Sequence, residues 1–85
     1  YLVCRSLDER TALLAHLTAR GVLAVFHYLP LHKSPFYAAR HDGRELPCAD
    51  RFADCLVRLP MFYDLTTDQV AGICAAVREF YAARR

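Results

Sequence analysis

Residues 22–35 read Val22-Leu23-Ala24-Val25-Phe26-His27-Tyr28-Leu29-Pro30-Leu31-His32-Lys33-Ser34-Pro35, an apolar run that breaks off into two histidines, a tyrosine and two prolines. The nearly continuous apolar half predicts a strand over 22–28, covered on both faces or central in its sheet. Pro30 has no N–H for a ladder and biases the residue before it toward an extended backbone, so the strand ends by Leu29. Ser34 followed by Pro35 has the form of a helix N-cap with proline at the first helical position, predicting a short helical turn through Arg40.

Upstream, Tyr1-Leu2-Val3-Cys4-Arg5 reads as a strand that gives way to a helix signal. Ser6-Leu7-Asp8-Glu9 is a capping box, in which the serine oxygen accepts from the Glu9 N–H and the Glu9 carboxylate accepts from the Ser6 N–H. A helix therefore runs over 7–20 with Leu13, Leu14 and Leu17 as its buried stripe, and Gly21 stops it. His16 reads as a surface or half-buried histidine of that helix.

Downstream, Asp42-Gly43 among charged residues marks 41–47 as an exposed loop, the most mobile segment expected of the chain. Cys48, Phe52, Cys55 and Leu56 recur at helical spacing and predict a short helix over 48–56; a brief strand over 57–59 follows, closed by Pro60. Thr66-Thr67-Asp68-Gln69 is a second capping box. It opens a last helix whose stripe is Val70, Ile73, Cys74, Val77, Phe80 and Tyr81.

Eighty-five residues with 11 basic and 9 acidic side chains allow one small domain of net charge +2. The two signs are mixed along the chain, which implies neither nucleic acid nor an anionic membrane as partner. The longest apolar stretch, 21–26, is far short of the roughly 20 residues of a membrane span. With a strand-like rather than leader-like start, a cytoplasmic protein is expected. The 55% hydrophobic share is high for so small a domain, so the chain is expected to be a piece of something larger. Cys4, Cys48, Cys55 and Cys74 are expected to stay reduced, with Cys4 and Cys74 among core residues.

Imidazole and thiolate both suit zinc, but His27, His32, His41, Cys48 and Cys55 lack the paired knuckle spacing, so no metal site is assigned. The phosphate-cradling glycine patterns are missing as well. His27 and His32 remain, flanking a proline at a strand end, where α/β folds commonly carry ligand contacts. Their plain alternative is a rigid turn whose histidines hydrogen-bond the loop.

Three segments together carry a resemblance: His27-Tyr28-Leu29-Pro30-Leu31-His32-x-Ser34-Pro35, then Leu56-x-Arg58-Leu59-Pro60-Met61-Phe62-Tyr63-Asp64-Leu65-Thr66, then the helix ending Glu79-Phe80-Tyr81. Over essentially all 85 residues the chain resembles the C-terminal domain of DegT/StrS-family sugar-nucleotide aminotransferases. That resemblance implies an α+β fold (an α/β sandwich) with a small three-stranded, mainly antiparallel sheet and helices packed on it. It makes residues 1–85 the small domain of a fold-type I, aspartate-aminotransferase-like enzyme, packed in life against a large domain and a second subunit of a homodimer. The implied activity, that of the whole enzyme, converts a dTDP-4-keto-6-deoxy sugar to the 4-amino sugar with pyridoxal phosphate as cofactor and glutamate as donor. The cofactor's lysine would belong to the missing domain; Lys33 is not assigned that role, no catalytic residue is expected here, and the 85 residues alone should be inactive. By similarity His27 lies near cofactor and substrates with His32 as second candidate, and Tyr28, Ser34 and Tyr63 are further polar contacts, whereas Arg58 is expected to be a structural charge. The alternative function is a stand-alone protein-interaction module without catalysis.

Overall fold

The second capping box forms in full and the first only by its serine half. In the computed structural model, which describes all 85 residues, the Ser6 hydroxyl accepts from the Glu9 N–H at 3.1 Å and starts helix α1, Leu7–Ala19. The Glu9 carboxylate reaches one residue further back than the motif predicts and accepts from the Arg5 N–H at 2.6 Å. At the other end Gly21 takes a φ of 74°, a left-handed conformation that side chains with a Cβ rarely adopt. Thr66 and Gln69 satisfy each other's backbone at 3.2 and 2.9 Å and open the last helix, α3, Thr67–Ala82.

Three short strands, β1 (Leu2–Val3), β2 (Val25–Phe26) and β3 (Leu56–Arg58), make an antiparallel sheet of order β1-β3-β2. The expectation that the 22–28 run is central or doubly covered is overturned: β2 is an edge strand with both residues exposed. Its first half is used differently, because the Val22 amide donates back to Leu17 and the Ala24 amide to Val22, which closes the helix end instead of joining a ladder. The strand over 1–5 likewise shortens to two residues. The centre belongs to β3, with Val57 opposite Leu2 on one side and Phe26 on the other. A brief segment suffices there because Val57 is fully enclosed.

The core is one cluster of Cys4, Leu13, Leu17, Ala24, Val57, Ala76 and Phe80, lying between α1, α3 and one face of the sheet. Leu14 is only half-buried. Helix α2, Pro47–Cys55, begins one residue before the expected span, with proline at its first position, and is joined to α1 by Arg10, whose guanidinium donates to the Ala53 carbonyl at 2.8 Å. Arg20 at the end of α1 grips Glu79 of α3 with two nitrogens, one at 2.7 Å. His16 is half-buried, its Nε2 2.9 Å from the Ala76 carbonyl and its ring edge-on to Phe80.

Two details of the core differ from expectation. Cys74 is exposed, as is Val70, because α3 turns Ala76 and Phe80 toward α1 and no further layer covers its flank. The four cysteines are free, Cys4 and Cys55 buried, Cys48 and Cys74 exposed. The expected helix through Arg40 is a series of turns: the Ser34 hydroxyl accepts from the Tyr37 N–H at 3.2 Å as a cap would, but the turns do not propagate. No helix is long and apolar enough to cross a membrane.

Only 8 of the 85 residues are buried, while Tyr1, Leu23, Leu29, Met61 and Tyr63 lie at 74% exposure or more. The radius of gyration of 15.5 Å exceeds the roughly 12 Å of a compact domain this long. The helices occupy one side of the sheet. Val3, Val25 and Arg58, which alternate with the core-facing residues, look out from the other.

Candidate functional site

Strand β2 ends at Phe26, and the next two side chains stand clear of the scaffold. His27 and Tyr28 are both exposed, with ring centroids 4.6 Å apart. From the neighbouring strand Arg58 lays its guanidinium over the Tyr28 ring at 5.6 Å, a distance at which the cation is attracted to the ring face. Arg58 is one register step from Val57, so the sheet fixes where that charge sits. An imidazole, a phenol and a guanidinium thus share one edge of the sheet. They offer hydrogen-bond donors of the kind that hold carboxylates and phosphates.

Leu29 and Pro30 carry the chain on in extended form, with Pro30 at φ −65° and ψ 134°, into a 3₁₀ turn at Leu31–Lys33. Here His32 is held differently from His27. Its side chain is only 10% exposed and its Nε2 lies 3.1 Å from Asp50 Oδ1, while Lys33 Nζ lies 3.0 Å from the same oxygen. The Lys33 ammonium against it, with His32 beside, holds the Asp50 carboxyl below its ordinary pKa. The His41 ring packs beside His32 with centroids 5.3 Å apart, and its own Nε2 sits 2.8 Å from the Arg44 carbonyl. Around Gly43, at φ 87°, the Arg44 N–H donates to Asp42 and makes 41–47 a tight, largely exposed turn.

Of the residues picked from sequence, then, His27 and Tyr28 come together and gain Arg58. His32 and Ser34 have polar atoms already engaged within the chain, and Tyr63 is fully exposed in the 61–65 stretch, outside every aromatic pair of the molecule. His41, weighed in the sequence only as a metal-ligand type, packs beside His32, and Asp50 is a participant with no role in the sequence reading. The available signal was the proline at the start of α2, which puts Asp50 in the first turn of a helix, where a carboxylate is favoured.

Nowhere do three or more histidine, cysteine or acidic side chains converge as a metal would require. Cys4, its thiol pushed up by burial, and Tyr81, pushed up to about 12 chiefly by burial, face each other at 3.8 Å inside the fold and away from this edge.

Fold and site together define a class: a small α+β domain that presents a cluster of donors at a sheet edge and leaves the opposite sheet face bare. Residues 1–78 match the DegT/DnrJ/EryC1/StrS aminotransferase family, and the chain belongs to it. It is 40% identical over 76 residues to a dTDP-3-amino-3,4,6-trideoxy-alpha-D-glucose transaminase of Streptomyces venezuelae, covering 86% of this chain and 20% of that protein. It is 38% identical over 72 residues to a UDP-2-acetamido-2-deoxy-3-oxo-D-glucuronate aminotransferase of Pseudomonas aeruginosa, with 84% and 20% covered. Against GDP-perosamine synthase of Escherichia coli O157:H7 it is 28% identical over 81 residues, with 95% and 22% covered. The chain thus spans about one fifth of the length of these relatives.

The family is generally dependent on pyridoxal phosphate. The residues present do not make a site for it: the single lysine, Lys33, is engaged by Asp50.

Proposed function

We propose that the protein of which these residues are part is a pyridoxal-phosphate-dependent sugar-nucleotide aminotransferase of fold type I, and that residues 1–85 are its C-terminal small domain. The observation that carries this reading is the family match over residues 1–78. The bare sheet face and the exposed Tyr1, Leu23 and Met61 favour burial against a large domain of the same protein and a second subunit of a cytoplasmic homodimer. The amino-transfer chemistry, and the lysine it needs, belong to that remainder and its cofactor.

The share of these residues is to bind and orient. His27, Tyr28 and Arg58 offer an imidazole N–H, a phenol O–H and a guanidinium to the carboxylates of an amino donor such as glutamate and to the hydroxyls and diphosphate of a sugar nucleotide. His32 and Ser34 shape the loop behind these contacts, and the exposed Tyr63 is a further polar group that this reading offers to the substrate. The substrate we favour is a dTDP-4-keto-6-deoxy sugar, giving the 4-amino sugar, which would make the protein a dTDP-4-amino-4,6-dideoxygalactose transaminase. A second reading places the ketone at C3, as the names of two relatives suggest.

His27→Ala in the full-length protein tests the contact. Loss of one hydrogen bond to a charged group, about 1.5–3 kcal/mol, raises the donor KM or lowers turnover by roughly 10- to 100-fold. Unchanged KM and turnover remove His27 from the site. Full-length protein without the cofactor's visible absorbance would instead support a stand-alone interaction module, and 3-keto against 4-keto sugars assayed side by side decide the position of the ketone.

A further inference from the structure

Between Phe26 and Pro47 the chain runs 20 residues with one 3₁₀ turn as its only regular element. Loops of such length are either disordered or held for a purpose. Most polar contacts of this loop are internal: Ser34 with Tyr37, Arg40 with Phe36, His41 with Arg44, Asp42 with Arg44. The ion pairs that tie it to the helices all converge on one carboxylate, Asp50 of α2, which meets His32 and Lys33 at 3.1 and 3.0 Å. His32 is the better shielded of the two, its side chain 10% exposed against 62% for Lys33.

From this grip to the proposed contact residues the chain is short and stiff. Tyr28 lies four residues before His32 and His27 five, and between them Pro30 has a fixed φ and restricts Leu29. A displacement of the turn is therefore passed on to His27 and Tyr28 instead of being absorbed. We propose that Asp50 is the positioning residue of the site: by holding His32 and Lys33 side by side it sets where His27 and Tyr28 stand. His32 is then the strut of the loop, its Nε2 committed to Asp50, and substrate is met by His27 and Tyr28. This assignment deepens the proposed function and rests on it for the identity of the ligand, while the clamp itself is a property of the loop.

The test uses the full-length protein carrying Asp50→Asn, Asp50→Glu, His32→Gln and His27→Ala. Asp50→Asn and His32→Gln each raise the sugar-nucleotide KM about tenfold with kcat changed less than about twofold, because contacts used equally in ground and transition states are weakened. Both also speed tryptic cleavage after Lys33, Arg40 and Arg44 by about tenfold, since cleavage follows the population of the open loop. Asp50→Glu restores most of the KM, and the double variant Asp50→Asn with His32→Gln is no worse than either single one. An Asp50→Asn protein with unchanged KM and unchanged trypsin sensitivity, beside a His27→Ala protein with raised KM, overturns the clamp. If His27→Ala leaves KM unchanged, the ligand assignment fails instead, and the trypsin rates then decide the clamp on their own.

Discussion

Leu17→Ala is the sharpest probe of how this domain holds together. Leu17 is fully enclosed in the cluster formed with Cys4, Leu13, Ala24, Val57, Ala76 and Phe80. Truncation removes three carbons, about 2.4 kcal/mol at roughly 0.8 kcal/mol each. The void then adds its own cost, up to a total of about 5 kcal/mol where neighbours cannot close in. Ala24 and Ala76 are too short to fill it, and Val57 is held from both sides by the ladders to β1 and β2. We therefore expect a loss of about 3–4 kcal/mol. A domain of this length has about 4–13 kcal/mol in all, so from about a quarter to nearly all of the margin goes. Hydrogen exchange in the full-length protein reads the effect: at 1.4 kcal/mol per tenfold, protection of the amides of α1 and α3 falls by two to three powers of ten. A fall of less than about tenfold would mean that this cluster does not hold α1, α3 and the sheet as one unit.

Other perturbations separate the remaining contributions. Thr66→Ala removes the oxygen that caps α3 and costs about 1 kcal/mol, within roughly 0.5–2, visible as faster exchange in the first turn of that helix; an unchanged rate would deny the box any role. Two carboxyls lie below their ordinary values of 3.8 and 4.5, Asp50 through Lys33 and Glu79 through Arg20. The stability they lend is complete above those values and is lost as pH falls through their lower folded ones, and added salt weakens it most for the exposed Arg20–Glu79 pair. On the alkaline side Cys4 and Tyr81 are raised, so their contribution is whole below pH 9 and drains away as pH rises, for Tyr81 until about 12. Acid and base titrations followed by near-ultraviolet signals check both limbs. Stability that is flat from pH 9 to 12 would contradict the Cys4–Tyr81 contact.

The parts of the fold that were legible in the sequence are those written in short-range chemistry. Ser6 and Thr66 with their partners three residues on located both long helices to within a residue or two, and Gly21 located the end of α1. The sheet was harder because strand order depends on partners far along the chain. Nothing in Val22-Leu23-Ala24-Val25-Phe26 announces that Val22 and Ala24 spend their amides on the preceding turn and leave a two-residue edge strand. Val57 looks unremarkable in sequence and is central only because Leu2 and Phe26 both pair with it. At the site, His27 and Tyr28 were visible as polar residues at the end of an apolar run. Asp50 was not, since its meaning comes from a contact eighteen residues back that only the folded loop brings within reach.

The position of β3 also bears on how the sheet is made. Both outer strands bind only to β3, which comes last of the three in the chain. A nascent chain that has finished β1, α1 and β2 owns two strands with nothing to pair to. It must wait for residues 27–58, about 2 to 6 s at ribosomal speeds of roughly 5–20 residues per second. During that interval Val25 and Phe26 are an open edge, and a chain stalled before Leu56 has no sheet at all.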